Sequence, residues 1–262
     1  MLLLHGFLCS AALWEANLAA LGRRVRPVTV ELWGHGDAPT PDEADAFLPE
    51  RYVAALDAIR AELGAERICP GGYSLGAALT LRYALTHPDR VVAHVMTNSN
   101  SAFADDAQVQ AWRDGAGKGA ARLREGGAEA VAKLPMHPRR AKHLDPAVRE
   151  AVLRDAERLD PEAVARTVAE TTPNASCREA ARSNRVPTLL VNGRLERRFQ
   201  TVRDWAAGHV PELEVADLET GHGVNMEDPA AFDAVAGPFL DRCLADAALT
   251  PRGRAPASRR AE

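Results

Sequence analysis

The sequence predicts an α/β fold: a mostly parallel central sheet with helices on both faces and an inserted helical cap. Short apolar runs alternate with helical patterns through the first hundred residues. A long charged, alanine-rich segment without a strand signal then separates them from two further apolar runs. Alternating strands and helices imply right-handed crossovers and parallel pairing. The apolar runs are nearly continuous, which is typical of strands buried on both faces.

Six of these runs are predicted to be strands of one sheet. They cover residues 1–4, 25–32, 67–73, 90–98, 186–192 and 213–218. Between them, apolar residues from Leu13 to Leu21 and from Tyr52 to Leu63 recur at helical spacing. Gly22 and Gly64 follow these segments at positions where helices commonly end.

The helix-rich segment from 103 to 183 is predicted to be a cap, or lid, domain. It is too long for an ordinary crossover connection, and the Asp-Pro pairs at 145–146 and 160–161 suit the first positions of two helices. Residues 1–102 and 184–248 then form the α/β core. The tail, residues 249–262, is rich in Pro, Ala and Arg and is predicted to be disordered.

Composition narrows the classes of function. Among 262 residues, 32 Lys and Arg stand against 36 Asp and Glu, a net charge of −4 that gives no indication of nucleic-acid binding. The four cysteines have no metal-ligand spacing and are expected to be reduced thiols. With no run of about 20 apolar residues and no signal-peptide pattern at the start, we expect a cytoplasmic monomer or homodimer without membrane contact.

The stretch GGYSLGAA (71–78) carries the clearest chemical signal. Gly72-x-Ser74-x-Gly76 follows a predicted strand and precedes a helical run, the context of a nucleophile elbow. A serine in such a strained turn needs very small neighbours on both sides. The helix that follows directs its amides and the positive end of its dipole toward a developing oxyanion.

Two further motifs agree with this interpretation. HGF (5–7) ends the first strand, where the second oxyanion amide is expected, so the amides of Phe7 and Leu75 are the predicted oxyanion hole. TGHGVNMEDPAAF (220–232) places His222 in a glycine-flanked loop after the last strand. Asp228 stands before Pro229 as the expected cap of a final helix.

With these motifs in place, the chain resembles the α/β-hydrolase superfamily over nearly its whole length except the tail. The matching pieces are LLLHGF, ELWGHGDAP, GYSLG, HPDRV, PTLLVNGRLE and GHGVNMEDPAAF. The resemblance implies a Ser74 nucleophile, a His222 general base and an acid after the penultimate strand. The chain begins on the oxyanion strand without the family's usual preceding hairpin: either those strands are absent or the start was placed late.

The acid is predicted to be Glu196, three residues after Gly193, at the family spacing. The alternative is a surface ion pair between Glu196 and Arg194, Arg197 or Arg198. Other candidate acids are Asp105, Asp106 and Asp217, the last being close to His222 along the chain.

The predicted reaction is hydrolysis of a small-molecule carboxylic ester or thioester through an acyl-enzyme, with no metal or cofactor. Tyr73, Trp33 and His5 are predicted to bind substrate, although the two aromatic residues could also be core. His5 and His35 are expected to hold loops near the pocket by hydrogen bonds.

Other functions remain open at this point. The chain also resembles the menaquinone-pathway synthase, which eliminates pyruvate with the same triad. That branch commonly carries an arginine soon after the elbow, where this chain has Ala78, and Arg139 or Arg140 of the cap could replace it. Hydrolysis of a C–C bond and a binding protein without catalysis are further alternatives. We place ester or thioester hydrolysis first.

Overall fold

A single sheet of six parallel strands forms the centre of the protein in this computed structural model, which describes residues 1–141 and 144–249. The strand order is β2-β1-β3-β4-β5-β6. The strands are β1 (Leu2–Leu4), β2 (Val28–Val30), β3 (Pro70–Gly72), β4 (His94–Thr97), β5 (Thr188–Gly193) and β6 (Leu213–Leu218). The predicted α/β class and the parallel sheet are therefore confirmed.

The described residues form ten α-helices. They are α1 (Glu15–Leu21), α2 (Pro49–Glu62), α3 (Leu75–Thr86), α4 (Asp106–Lys133), α5 (Pro146–Ala156), α6 (Pro161–Arg166), α7 (Arg178–Ala181), α8 (Arg197–His209), α9 (Val224–Glu227) and α10 (Pro229–Leu249). Residues Ala11–Trp14, Pro88–Arg90, Pro138–Arg140 and Thr172–Asn174 form short 3₁₀ turns, and Thr167–Thr171 forms a π-turn.

The two faces of the sheet carry separate hydrophobic cores. Along β1, Leu2 and Leu4 point into the core under α2, α3 and α8, whereas Leu3 points into the core under α1 and α10. This alternation follows from the period of two along a strand. Both faces are therefore covered, as the continuous apolar runs predict.

Several predicted strands are longer than the observed ones. The run 25–32 forms a strand only over Val28–Val30, because β2 is an edge strand that pairs with β1 alone. The run 67–73 is a strand over Pro70–Gly72, preceded by an isolated bridge between Ile68 and Val91. In contrast, β6 has the predicted bounds.

The predicted helix starts are confirmed where a capping side chain precedes proline. Asp145 accepts a hydrogen bond from the Ala147 amide at 2.8 Å, and Asp160 accepts one from Glu162 at 2.9 Å. Asp228 caps α10 in the same way. Gly64 follows α2 with φ of 65°, as predicted for a helix end, whereas Gly22 remains right-handed.

The segment between β4 and β5, residues 103–183, is helical and is called the insert below. It contains α4 to α7 and has a hydrophobic cluster of its own, which includes Leu8 of the core. The helix α4 is broken at Gly127, whose φ is 54°. The predicted tail lies outside the described residues apart from Leu249, which ends α10. No helix of the described part could cross a membrane.

Candidate active site

Ser74 occupies a strained turn between β3 and α3. Its φ of 53° and ψ of −116° lie in a region that non-glycine residues rarely adopt. A Cβ on Gly72 would lie 2.3 Å from Thr80 Oγ1, and one on Gly76 would lie 2.3 Å from the carbonyl oxygen of His5. Both positions therefore require glycine, as the elbow motif predicts.

Ser74, His222 and Glu196 form one hydrogen-bonded series at the carboxyl edge of the sheet. The distance from Ser74 Oγ to His222 Nε2 is 3.0 Å, and that from His222 Nδ1 to Glu196 Oε2 is 2.8 Å. These residues follow β3, β6 and β5 respectively. A hydroxyl, an imidazole and a carboxylate joined in this order can transfer a proton and form an acyl intermediate.

The Glu196 carboxylate is held by a second partner that the sequence did not reveal. Asn98, completely buried at the end of β4, donates to Glu196 Oε2 at 2.7 Å and accepts from the Gly193 amide at 3.0 Å. Burial alone would raise the pKa of the Glu196 carboxyl, but the hydrogen bonds from His222 and Asn98 hold it below its ordinary value. The carboxylate is therefore ionised at neutral pH.

The alternative surface ion pair of Glu196 is absent from the described part of the chain. Arg194 binds Glu219 instead, at 2.7 Å. The rival acids also have other partners. Asp105 caps α4 by accepting from the Gln108 amide, Asp106 is exposed, and Asp217 binds Arg203 and Asn192, each at 2.7 Å.

The loop that carries His222 is fixed by Glu227. Its two carboxylate oxygens accept from the amides on either side of the histidine, Gly221 at 2.6 Å and Gly223 at 3.0 Å. The ring of His222 also packs against that of Tyr73, with 5.2 Å between their centroids. The contacts of Glu227 could not be predicted from the sequence, because nothing in the pattern distinguishes it from an ordinary residue of α9.

The amides of Phe7 and Leu75 both belong to residues that border Ser74 in one cavity. Leu75 is in the first turn of α3, where amides have no partner within the helix. The Phe7 loop is held from below: the Leu8 amide donates to His35 Nε2 at 3.3 Å, and the Ala11 amide donates to Glu31 at 3.0 Å. Burial lowers the pKa of His35 to about 3, so His35 is neutral and can accept.

Two adjoining cavities meet at His222. The first has a volume of about 460 Å³ and is bordered by Ser74, His222 and Glu196 on the core side. On the insert side it is bordered by Trp112, Pro135, Met136 and Thr172. The second, of about 260 Å³, lies between the His222 loop and residues 135–141 of the insert.

The predicted substrate-binding residues have different positions. Tyr73 borders both cavities. His5 is completely buried and bonds Gly6 and the segment 31–32, and Trp33 packs against Tyr52, so neither borders either cavity. His5 therefore joins the loops beneath the site, and substrate binding by His5 and Trp33 stays a prediction that the borders of these two cavities do not support.

Three further features near the site could have a chemical role: the thiol of Cys9, a metal site and the side chain at position 78. Cys9 borders both cavities, but burial raises the pKa of its thiol to about 12, so it stays protonated. Within residues 1–141 and 144–249 no group of three His, Cys, Asp or Glu side chains is arranged to hold a metal ion. Ala78 is completely buried and reaches neither cavity.

A family model of the alpha/beta hydrolase family matches residues 1–235. The chain belongs to this family. The hydrolase is 24% identical over 247 residues to a putative 2-succinyl-6-hydroxy-2,4-cyclohexadiene-1-carboxylate synthase from Bacillus subtilis, covering 90% of this chain and 88% of that protein. It is 25% identical over 232 residues to the carboxylesterase YbfK of Bacillus subtilis, covering 87% and 76%.

Other relatives match over shorter stretches. A pimeloyl-acyl-carrier-protein methyl ester esterase from Aeromonas hydrophila is 31% identical over 106 residues, which span 39% of each chain. Among solved structures, MenH from S. aureus superposes with a TM-score of 0.82 at 20% identity, covering 93% of both chains. At this identity the likeness concerns the fold.

Proposed function

We propose that this hydrolase cleaves a small-molecule carboxylic ester or thioester through an acyl-enzyme on Ser74. The observation that carries the proposal is the continuous series from Ser74 Oγ through His222 to Glu196, at 3.0 and 2.8 Å. The similarity to a carboxylesterase over most of the chain supports the same reaction.

In the proposed mechanism, His222 Nε2 takes the proton of Ser74 as Oγ attacks the acyl carbon. The amides of Phe7 and Leu75 donate to the resulting oxyanion, each contributing about 3–4 kcal/mol. His222 then returns the proton to the leaving oxygen or sulfur, and the acyl group stays on Ser74. Water, deprotonated by the same imidazole, attacks this ester, releases the acid and restores the serine.

Glu196 acts on this reaction through His222. Its carboxylate accepts from Nδ1, which leaves Nε2 free to accept the serine proton and stabilises the imidazolium that forms. Asn98 fixes the carboxylate from the other side. We assign the insert the part of a cap, because Trp112, Pro135 and Met136 form the wall opposite Ser74.

The test uses a panel of p-nitrophenyl esters and acyl-CoA thioesters. We expect turnover by the unmodified chain, and we expect Ser74→Ala to reduce it to the background rate while the chain remains folded. Circular dichroism checks the fold. Ester turnover that persists in Ser74→Ala would refute the assignment of the nucleophile.

A second candidate is elimination of pyruvate by the same three residues. It is favoured by the similarity to the putative synthase, which covers 90% of this chain. The substrate of that synthase is the test. If the chain releases pyruvate from it faster than it cleaves any ester of the panel, elimination becomes the proposed reaction in place of hydrolysis.

A further inference from the structure

The second cavity adjoins the first, but the two are bordered by different polar groups. The two cavities share Cys9, Tyr73, Pro135, Met136 and His222. Ser74, Phe7 and Leu75 border only the first. His222 is therefore the single member of the hydrogen-bonded series that faces both spaces.

This division assigns each cavity to one part of an ester. The carbonyl carbon must lie at Ser74 Oγ with its oxygen at the two amides, so the acyl group extends into the first cavity. The leaving oxygen or sulfur must lie beside the imidazole that protonates it. The group attached to that atom then extends past His222 into the second cavity.

Within the described part of the chain, the walls of the second cavity are mainly apolar, and Arg140 places a cation at its border. Its apolar lining includes Met136, Pro138, Leu144, Val152 and Met226. Arg140 also borders it, and its exposed guanidinium has no ion-pair or hydrogen-bond partner among residues 1–141 and 144–249. The neighbouring Arg139 is equally exposed but does not border the cavity.

Among residues 1–141 and 144–249, the other titratable groups that border this cavity do not supply a competing cation. Burial, followed by the charges of Arg139 and Arg140, lowers the pKa of His137, so that this side chain is neutral at pH 7. The two side-chain oxygens of Glu227 accept from the Gly221 and Gly223 amides on the core side. Among the described residues that border the cavity, Arg140 on the insert side is therefore the one that favours an anion.

We propose that the second cavity binds the leaving group and that Arg140 selects a leaving group ending in a carboxylate. This inference rests on the proposed hydrolysis. A volume of about 260 Å³ lies below the roughly 300–1,000 Å³ of pockets for drug-sized ligands. The preferred alcohol or thiol is therefore small, with a short apolar body between the cleaved bond and the anion.

The experiment compares butanoyl esters that differ only in the end of the leaving group. The alcohols are 4-hydroxybutanoate, which is anionic, its neutral amide 4-hydroxybutanamide, and cationic 3-aminopropan-1-ol. Released butanoate is measured for each, and kcat/KM is compared. We expect the anionic ester to be preferred over the neutral one by about fivefold, the size of a partly exposed charge interaction.

Three variants assign the preference to one side chain. Arg140→Gln should bring the ratio of anionic to neutral ester to about one, and Arg140→Glu should favour the cationic ester. Arg139→Gln removes the same charge one residue away and should keep the wild-type ratio. A wild-type ratio of one or less, or equal loss of the preference in Arg139→Gln and Arg140→Gln, would overturn the subsite.

Failure of the subsite and failure of the proposed function give different results. If Arg140 does not select the leaving group, the neutral ester is still hydrolysed, and its turnover still depends on Ser74. If the chain hydrolyses none of the three esters and Ser74 is not labelled by a fluorophosphonate, the proposed function and the leaving-group subsite are both wrong.

Discussion

The two walls of the active-site cavity are held in different ways. On the core wall, His222 and Glu196 are fixed by side chains from other elements, through Glu227 and Asn98. On the insert wall, Trp112, Pro135 and Met136 present mainly apolar surface, and Met136 is 56% exposed. Under the proposed function, this difference assigns the chemical steps to the core wall and the fit to the substrate to the insert wall.

Within the insert, the helices α5 and α6 are bound to the core by polar contacts. Asp155 of α5 accepts from Ser10 Oγ at 2.6 Å, and Arg166 of α6 donates to the carbonyl oxygens of Pro41, Glu43 and Ala44. The rest of the insert contains the break at Gly127 and the segment 134–141 that borders the cavities. Substitutions on the two walls should therefore have effects of different kinds.

The largest effect on the core wall is expected from Glu196→Gln. The amide keeps the shape of the side chain but removes the charge that orients and stabilises the imidazolium, so kcat should fall by about ten-thousand-fold. Steady-state turnover of a p-nitrophenyl ester measures it. Asp217→Asn is the matched control, since Asp217 binds Arg203 and Asn192 and should leave kcat within about threefold. Equal losses in both variants would contradict the assignment of the acid.

A smaller loss on the same wall is expected from Glu227→Gln. A glutamine offers one acceptor oxygen, so one of the two loop amides loses its partner and His222 is less well aligned. We expect kcat to fall by about a hundredfold with KM nearly unchanged, and Ser74 to react more slowly with a fluorophosphonate by a similar factor. Glu219→Gln, on the exposed side of the preceding segment, serves as the control. A wild-type kcat in Glu227→Gln would show that Glu227 does not position His222.

The smallest effect is expected on the insert wall, from Met136→Ala. Because Met136 is more than half exposed, its removal should cost little stability but should weaken binding of longer acyl chains. We expect kcat/KM to fall by about threefold to tenfold for an octanoyl ester and to stay constant for an acetyl ester. Leu249→Ala, an exposed apolar residue far along α10, should change neither value. A uniform loss for both esters would contradict the expectation that Met136 contacts the acyl chain.

Around the site, the features that local sequence determines have the geometry that the sequence predicts. Ser74 and its two glycines form a turn whose steric demands are visible within five residues. The position of His222 follows from a glycine-flanked loop after a strand whose bounds were also predicted. Proline preceded by aspartate likewise gave the starts of α5, α6 and α10.

Contacts between distant segments could not be predicted in the same way. Asn98 meets Glu196 across 98 positions of the chain, and its polar run could equally have been a turn. His5 and Trp33 point into the packing beneath the loops, a direction that depends on which segments lie over them. The difference between Arg139 and Arg140 arises from one 3₁₀ turn beside a cavity that no local pattern reveals.

The assignment of Ser74 as the nucleophile is tested most directly by locating the residue that a fluorophosphonate labels. The protein is labelled, digested and analysed by tandem mass spectrometry, with Ser74→Ala treated in parallel. We expect a single adduct on the peptide that contains Ser74 and none in the variant. An adduct on another residue, or labelling of Ser74→Ala at the wild-type rate, would show that Ser74 is not the nucleophile.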